Sequence, residues 1–285
     1  MASTESPRLT PLAEDSIPGC MALSAEAGWN QTPDDWAMFV RHGRVFGLLA
    51  GAAPVASGAI LPYPDDFAWI SMVLVTASRR RARIGTRILE TCCAEVAQRG
   101  LVAMLDATPA GERVYRPLGF EPMFTLTRWQ GQGSNAGGGN AKLPVGIRPM
   151  TKGDTAAIVA LDAAVFGAHR QFLLENFFHR EPSLAFVMGN DVRGFVLARP
   201  GRLATQIGPL IAANEDAAAA LLSAALDSAG GPVFLDLAER WHRLGQLLQR
   251  RGFTVQRPFL RMGMRRDAPF GDVARTFVIA GPEFG

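Results

Sequence analysis

The chain has 285 residues, 48% of them apolar, with a net charge of +3. That is enough for one large domain or two ordinary ones with a sizeable core, and no apolar run is long enough to cross a bilayer. Cys20, Cys92 and Cys93 are the only cysteines, and four scattered histidines occur without a C-x-x-C pattern, which excludes a disulfide scaffold and argues against a metal site. The start, MASTESPRLTPL, lacks the basic and apolar regions of a secretory leader, so a reduced, cytoplasmic setting is expected. Lys142 and Lys152 are the only lysines. In a chain rich in Ala and Gly the arginine total reflects composition; its clustering is more informative.

In chain order, RLTPLAEDSIPGCMALSAEAG reads as a short strand, a polar turn and a helix, and TPDDWAMFVRHG as a second helix. Three strands follow, RVFGLLAG, APVASGAIL and FAWISMVLV. Next come an arginine-rich turn, a helix, the strand VAMLDA, a short helix closing in YRPLGF, and the strand FTLTRW. Residues 131–144, GQGSNAGGGNAKLP, have no apolar period and read as a flexible linker. Beyond them the order repeats. GIRPMTKGDTAAIVALDAAVFG matches the opening and RQFLLENFFHRE the second helix. SLAFVMG, RGFVLARPG and LATQIGPLI match the three strands; VFLDLA, LQRRGF and FLRMGM match the ending. The expected fold is α/β, in the α+β mixed-sheet sense: two tandem units of order β-α-α-β-β-β-α-β-α-β, with helices on both faces of each sheet. The expected division is 1–130, the linker 131–144, and 145–285.

The junction TASRRRARIGTRIL carries Arg79, Arg80, Arg81, Arg83 and Arg87 around Gly85. A helix start offers unpaired N–H groups and the positive end of the dipole, and a tight turn before it aims further N–H groups at one point. Gly85 allows close approach, Thr86 adds a hydroxyl, and arginines add forked donors suited to phosphate. Ile84, Ile88, Leu89, Cys92 and Val96 form the buried stripe of the helix. A solvated basic turn is the bland alternative. A nucleic-acid patch lacks aromatic interleaving, and the glycine and lysine spacings of Walker and dinucleotide loops are missing.

From Val75 to Thr86, V-x-x-x-x-R-R-x-x-I-G-T resembles the pyrophosphate loop of the GNAT acetyltransferases, with Arg80 at its first position and Gly85 at its last. Arg83 departs from the usual glycine. Tyr115 to Phe120, YRPLGF, resembles the family's Tyr-x-x-Leu-Gly-Phe ending. The resemblance covers residues 7–130 by motif and 145–267 by element order. It implies an enzyme that moves an acetyl group from acetyl-CoA to a small-molecule or peptide amine. It implies no metal, no nucleic acid and no membrane, and leaves a homodimer open. It also implies a donor site of Val73, Leu74, Val75, Arg80, Arg81, Ala82, Arg83, Ile84, Gly85, Thr86 and Thr108. A backbone N–H near Val73–Val75 would polarise the thioester, and Tyr115 would protonate the leaving thiolate.

Each of these roles has a bland counterpart. Tyr115 can be a packing residue; its counterpart in the second half is Leu248. The fourth strand carries no glutamate, so the candidate bases are Asp106 at the end of the fifth strand, Asp65 and Asp66 before the fourth, and Asp34 and Asp35 at the second helix, with a water chain as another option; Asp236 repeats Asp106, so both can be strand-end carboxylates. Thr108 can cap the helix at Pro109, with Glu112 in its first turn. Trp29, Asn30 and Asp35 in AGWNQTPDDW are candidates for the acceptor side, against Thr32 as an N-cap before Pro33 with buried tryptophans around it. The second half reads IAANEDAAAALL where the first has its arginines, and Glu215 and Asp216 would repel an anion there. The first half is therefore expected to be the catalytic one and the second a degenerate partner. A protein that binds an acyl-CoA without turnover is the alternative.

Overall fold

A computed structural model of the protein describes residues 9–64, 66–134, 143–180 and 184–285. The chain forms two compact units, Met1–Leu105 and Asp106–Gly285.

The first unit runs β1 (Thr10–Leu12), α1 (Ile17–Glu26), α2 (Pro33–His42), β2 (Arg44–Ala50), β3 (Ala53–Tyr63), β4 (Phe67–Val75), α3 (Ile84–Gln98) and the start of β5 (Val102–Ala107). Its strands lie in chain order, antiparallel through β4. β4 and β5 are parallel, with Phe67–Trp69 opposite Val102–Met104. Thr32 and Asp35 start α2 with a reciprocal capping box, Pro33 fills the first turn, and Arg41 and His42 sit at the end where a cation suits the dipole. α3 buries Ile84, Ile88, Leu89, Cys92 and Val96, the expected stripe. β4 carries a bulge: Ala59 of β3 faces Ser71, but Ser57 faces Leu74, so β4 holds one extra residue. Met72 takes the strain with φ +54°, and Ser57 Oγ donates to its carbonyl at 2.9 Å.

The second unit holds the end of β5, α4 (Pro109–Tyr115), β6 (Phe120–Ser134), β7 (Ile147–Pro149), α5 (Thr155–Phe166), α6 (Gln171–Phe178) and β8 (Leu184–Met188). It continues with β9 (Gly194–Arg199), β10 (Thr205–Ile211), α7 (Glu215–Ser228), β11 (Gly230–Ala238), α8 (His242–Arg250), β12 (Thr254–Met264) and β13 (Thr276–Val278). The expected order appears in both repeats, with β13 added. The spatial order β12-β6-β11-β13-β10-β9-β8-β7 was not expected. β6 is the last strand of the first repeat, yet it lies between the last two main strands of the second. The linker expectation needs correcting accordingly. Gly131–Ser134 are strand, paired antiparallel with Gly230–Val233, and residues 135–142 lie outside the described residues.

Two buried ion pairs seal this exchange. Arg128 of β6 donates from Nε and Nη2 to the two oxygens of Asp236 on β11, both at 2.8 Å, and Gln206 adds a bond of 3.0 Å. Arg261 of β12 grips Asp106 at the end of β5 the same way, both bonds 2.9 Å. Each repeat thus supplies an aspartate to the other's arginine. Arg128 and Arg261 both stand eight residues beyond the Phe of their Gly-Phe endings.

Candidate active site

The arginine turn sits between β4 and α3. Arg81 and Arg83 are both left-handed, with φ +66° and +57°, a conformation that glycine adopts without the steric cost of a Cβ. The departure at Arg83 therefore keeps the backbone geometry that favours glycine and adds a guanidinium to it. Arg83 occupies the N-cap of α3 but makes no side-chain capping bond, and the first turn holds no acidic residue. The first N–H groups of α3 are thus left for another acceptor, and Arg79, Arg80, Arg81 and Arg83 around them are exposed. Arg80 Nε donates to the Val75 carbonyl at 3.1 Å, tying its side chain back toward the end of β4. Ala82 is exposed, Ile84 is buried, and Gly85 and Thr86 are half-buried. A Cβ on Gly85 would meet only Val75 Cγ2, at 3.7 Å, so the turn is open on that side. Uncapped N–H groups, a left-handed turn and forked cations fit a pyrophosphate.

Glu26, at the end of α1, holds the start of this turn and was not singled out in the sequence. Its carboxylate accepts from the Ala77 N–H at 2.6 Å and the Thr76 hydroxyl at 2.7 Å. These bonds hold its carboxyl below the ordinary glutamate value. No local pattern marks it, because its partners are about fifty residues away. On β4, Leu74 is buried, Val73 and Val75 are half-buried, and the bulge at Met72–Val73 sits beyond the stretch paired with β5.

Several candidate side chains have structural duties. Thr108 accepts from Gly111 N–H at 3.2 Å and caps α4, so its hydroxyl is a cap as well as a donor-site candidate. Asp106 requires a correction. Its side chain has no exposed surface and both oxygens are held by Arg261. Burial pushes its carboxyl up from the ordinary value and the Arg261 guanidinium opposes that. It is a locked structural carboxylate, not a poised base. Asp35 is corrected likewise: it is buried and accepts from the Thr32 N–H and hydroxyl in the capping box, at 2.8 and 3.2 Å. Asn30 is buried, Trp29 is half-buried, and Trp36 is fully buried with its indole N–H on Ser24 Oγ at 3.1 Å. Tyr115 is half-buried at the end of α4, with its ring laid over Gly111: a Cβ there would come within 2.8 Å of Cε2 and 3.0 Å of the hydroxyl. Leu248, its counterpart on α8, is buried in the core.

The second repeat closes the equivalent places. Asn214 caps α7 by accepting from Ala217 N–H at 2.9 Å, and Glu215 and Asp216 follow in the first turn. Between β10 and β11, parallel neighbours at Thr205–Ile207 and Val233–Leu235, the C-terminal segment enters as β13. It pairs antiparallel with both, Val278 facing Leu210 and Leu237. The approach is tight enough that a Cβ on Gly208 would strike the Ile279 carbonyl. Arg199 donates to the Ala280 carbonyl and to Glu283, both at 2.6 Å, and Arg170 to Gly285 O at 2.8 Å. Phe284 is fully buried, edge-on to Phe177 at 5.7 Å. The C-terminal tail thus packs back on the body of this unit.

The sequence matches two family models: the acetyltransferase (GNAT) family over residues 14–120 and an acetyltransferase (GNAT) domain over residues 158–277. It is 23% identical over 250 residues to YitH, an uncharacterized N-acetyltransferase of Bacillus subtilis (strain 168), covering 86% of this chain and 87% of that one. It is 26% identical over 175 residues to the holothin acyltransferase of a Pseudoalteromonas species, covering 61% of this chain and 58% of the relative. In fold it resembles a proposed acetyltransferase from Pyrococcus horikoshii, with a TM-score of 0.80 at 18% identity over 98% of this chain and 95% of that one. The chain belongs to the GNAT acetyltransferase family and is an enzyme of that family, built from two GNAT domains in tandem.

Proposed function

We propose that the protein transfers an acetyl group from acetyl-CoA to an amine, with one donor site per chain, in the first repeat. One contrast supports this reading. The start of α3 is uncapped, free of carboxylates and ringed by arginine, while the start of α7 is capped by Asn214 and carries Glu215 and Asp216. The tail strand between β10 and β11 adds to it. Acetyl-CoA supplies the activated acyl group. Arg80, Arg81, Arg83 and the N–H groups of Ile84, Gly85 and Thr86 take its phosphates and so orient the thioester. Backbone N–H groups beside the β4 bulge polarise the carbonyl. Tyr115 returns a proton to the departing sulfur.

With Asp106 locked by Arg261, we assign no carboxylate base. The acceptor then has to arrive as the neutral amine, so the rate at a fixed pH should rise as the acceptor's own pKa falls toward that pH. The test is release of the CoA thiol across an amine panel graded in pKa, repeated with acetyl-CoA and longer acyl-CoAs. Binding of acetyl-CoA without thiol release across the panel would overturn the catalytic reading. Faster turnover of a longer acyl group would correct the donor.

A further inference from the structure

We propose that the second unit carries a separate small-molecule site, suited to a flat organic amine bearing an oxygen acceptor. A cavity of about 510 Å³ lies between α8 and the strands β6, β11 and β12, within the size range of ligand sites. Trp129, Leu237 and Val255 supply apolar surface; Val255, an aliphatic strand residue, is 54% exposed there. Trp241 is a fixed wall. Its indole N–H donates to the Thr276 carbonyl at 2.8 Å and its ring stacks on Phe277 at 4.2 Å. α8 turns one stripe to the cavity, His242, Gly245, Gln246 and Gln249, spaced by three and four. Gly245 keeps the middle of that stripe low: a Cβ there would already sit 3.6 Å from Trp129 Cζ2.

Two polar features set the ligand's chemistry. Glu239 is exposed at the cavity, with Oε1 held by the Thr127 hydroxyl at 3.3 Å; among the described residues Oε2 has no hydrogen-bond partner. Among the described residues no arginine lines the cavity, although nearly all the chain's positive charge is arginine, so Glu239 and His242 are the described titratable groups facing it. A carboxylate beside aromatic walls, without a competing guanidinium, favours a cation with an apolar body. The second feature is Trp129, only 6% exposed, whose indole N–H meets no acceptor among the described residues. A buried donor without a partner is costly; its nitrogen has under 1 Å² of exposed surface, so a ligand oxygen removes that cost by displacing the wall that covers it. An arylalkylamine with a ring hydroxyl supplies the cation, the plane and the acceptor together. This site does not depend on the donor site in the first repeat.

The test uses the full chain without CoA and tyramine as the probe, read by ligand-observed NMR and calorimetry. Tyramine should bind, phenethylamine several-fold more weakly, and 3-(4-hydroxyphenyl)propionate, which reverses the charge, not measurably. Glu239→Gln should weaken tyramine about tenfold or more, as for loss of a charged hydrogen bond. Gly245→Leu should block it by filling the cavity. Trp129→Phe should erase the advantage of tyramine over phenethylamine. Acetyl transfer by Glu239→Gln should match the parent, separating this site from the catalytic one. No tyramine binding to the folded protein up to about 10 mM, or equal binding in folded Glu239→Gln and Gly245→Leu, would overturn the proposal.

Discussion

Replacing Arg128 with methionine tests how the two repeats are joined. The substitution keeps an apolar stem among Phe234 and Phe259, over which the guanidinium carbon lies at 5.6 and 5.2 Å. It removes both bonds to Asp236, whose side chain has no exposed surface, leaving Gln206 as its side-chain donor. A buried carboxylate stripped of its cation costs about 3–5 kcal/mol. At roughly 2–4 °C per kcal/mol for a unit of this size, the melting temperature should fall by about 6–20 °C. The double variant Arg128→Met/Asp236→Leu removes the charge with its partner and should recover most of that loss. Arg261→Met, against Asp106, should behave like the single variant, since the geometry is the same. Thermal and urea melts of the four proteins decide the matter. A single variant that loses under about 1 kcal/mol, or a double no better than the single, would refute the view that these buried pairs hold the exchanged strands.

Arg80→Glu should weaken CoA binding about tenfold or more, and wild-type affinity should fall with salt because the anchor is electrostatic; calorimetry should give one site per chain, and unchanged affinity in a folded variant would refute the assignment. Arg83→Gly and Arg83→Ala should both lose a phosphate contact, but the glycine variant should melt higher, by about 1 kcal/mol, because only it relieves the left-handed backbone; an alanine variant that melts as high would refute that strain. Tyr115→Phe should leave CoA affinity intact and slow turnover about a hundredfold; undiminished turnover where chemistry limits the rate would show that another group protonates the thiolate. Burial pushes Cys20 up to about 12 and Cys93 up to about 11, and raises Cys92 as well. At pH 8 about one Cys93 in a thousand is thiolate, so a disulfide reagent should react slowly with the native protein and quickly with all three cysteines once it is denatured; fast labelling of the native protein would contradict their burial.

What the sequence made legible was local. The stripe Ile84, Ile88, Leu89, Cys92, Val96 and the caps Thr32 and Thr108 depend on neighbours within a few turns, and each appears where spacing and residue type put it. The sequence leaves Asp106 open between a base and a strand-end carboxylate because the two look the same in one dimension whether or not an arginine holds the group, and Arg261 lies 155 residues away. A signal did exist: the repeats carry an arginine at the same distance from each Gly-Phe ending, and comparing them position by position would have paired both with the repeated aspartates. The Gly-rich stretch after Gln130 misled for a related reason. Gly133 packs where a Cβ would collide with the Ala229 backbone, so the first four residues of that stretch, Gly131–Ser134, are strand made narrow for close contact. The glycine usually found at Arg83 is a constraint on φ, and only the backbone shows that arginine meets it.

The placement of β6 between β11 and β12 also fixes when this protein can fold as it is made. The strand ends at Ser134, and the partner on its far side is complete only at Met264. At ordinary rates of translation the intervening chain takes on the order of ten seconds to synthesise. Until β11 is complete at Ala238, β6 presents two unpaired edges, and from then until β12 is complete it presents one, the kind of surface that invites pairing with another nascent chain. A nascent-chain chaperone has a defined interval in which to act, ending when β12 emerges. The same placement restricts inheritance. A recombination event that exchanges one repeat with that of a distant relative also replaces a strand inside the other repeat's sheet, so the two halves must change together.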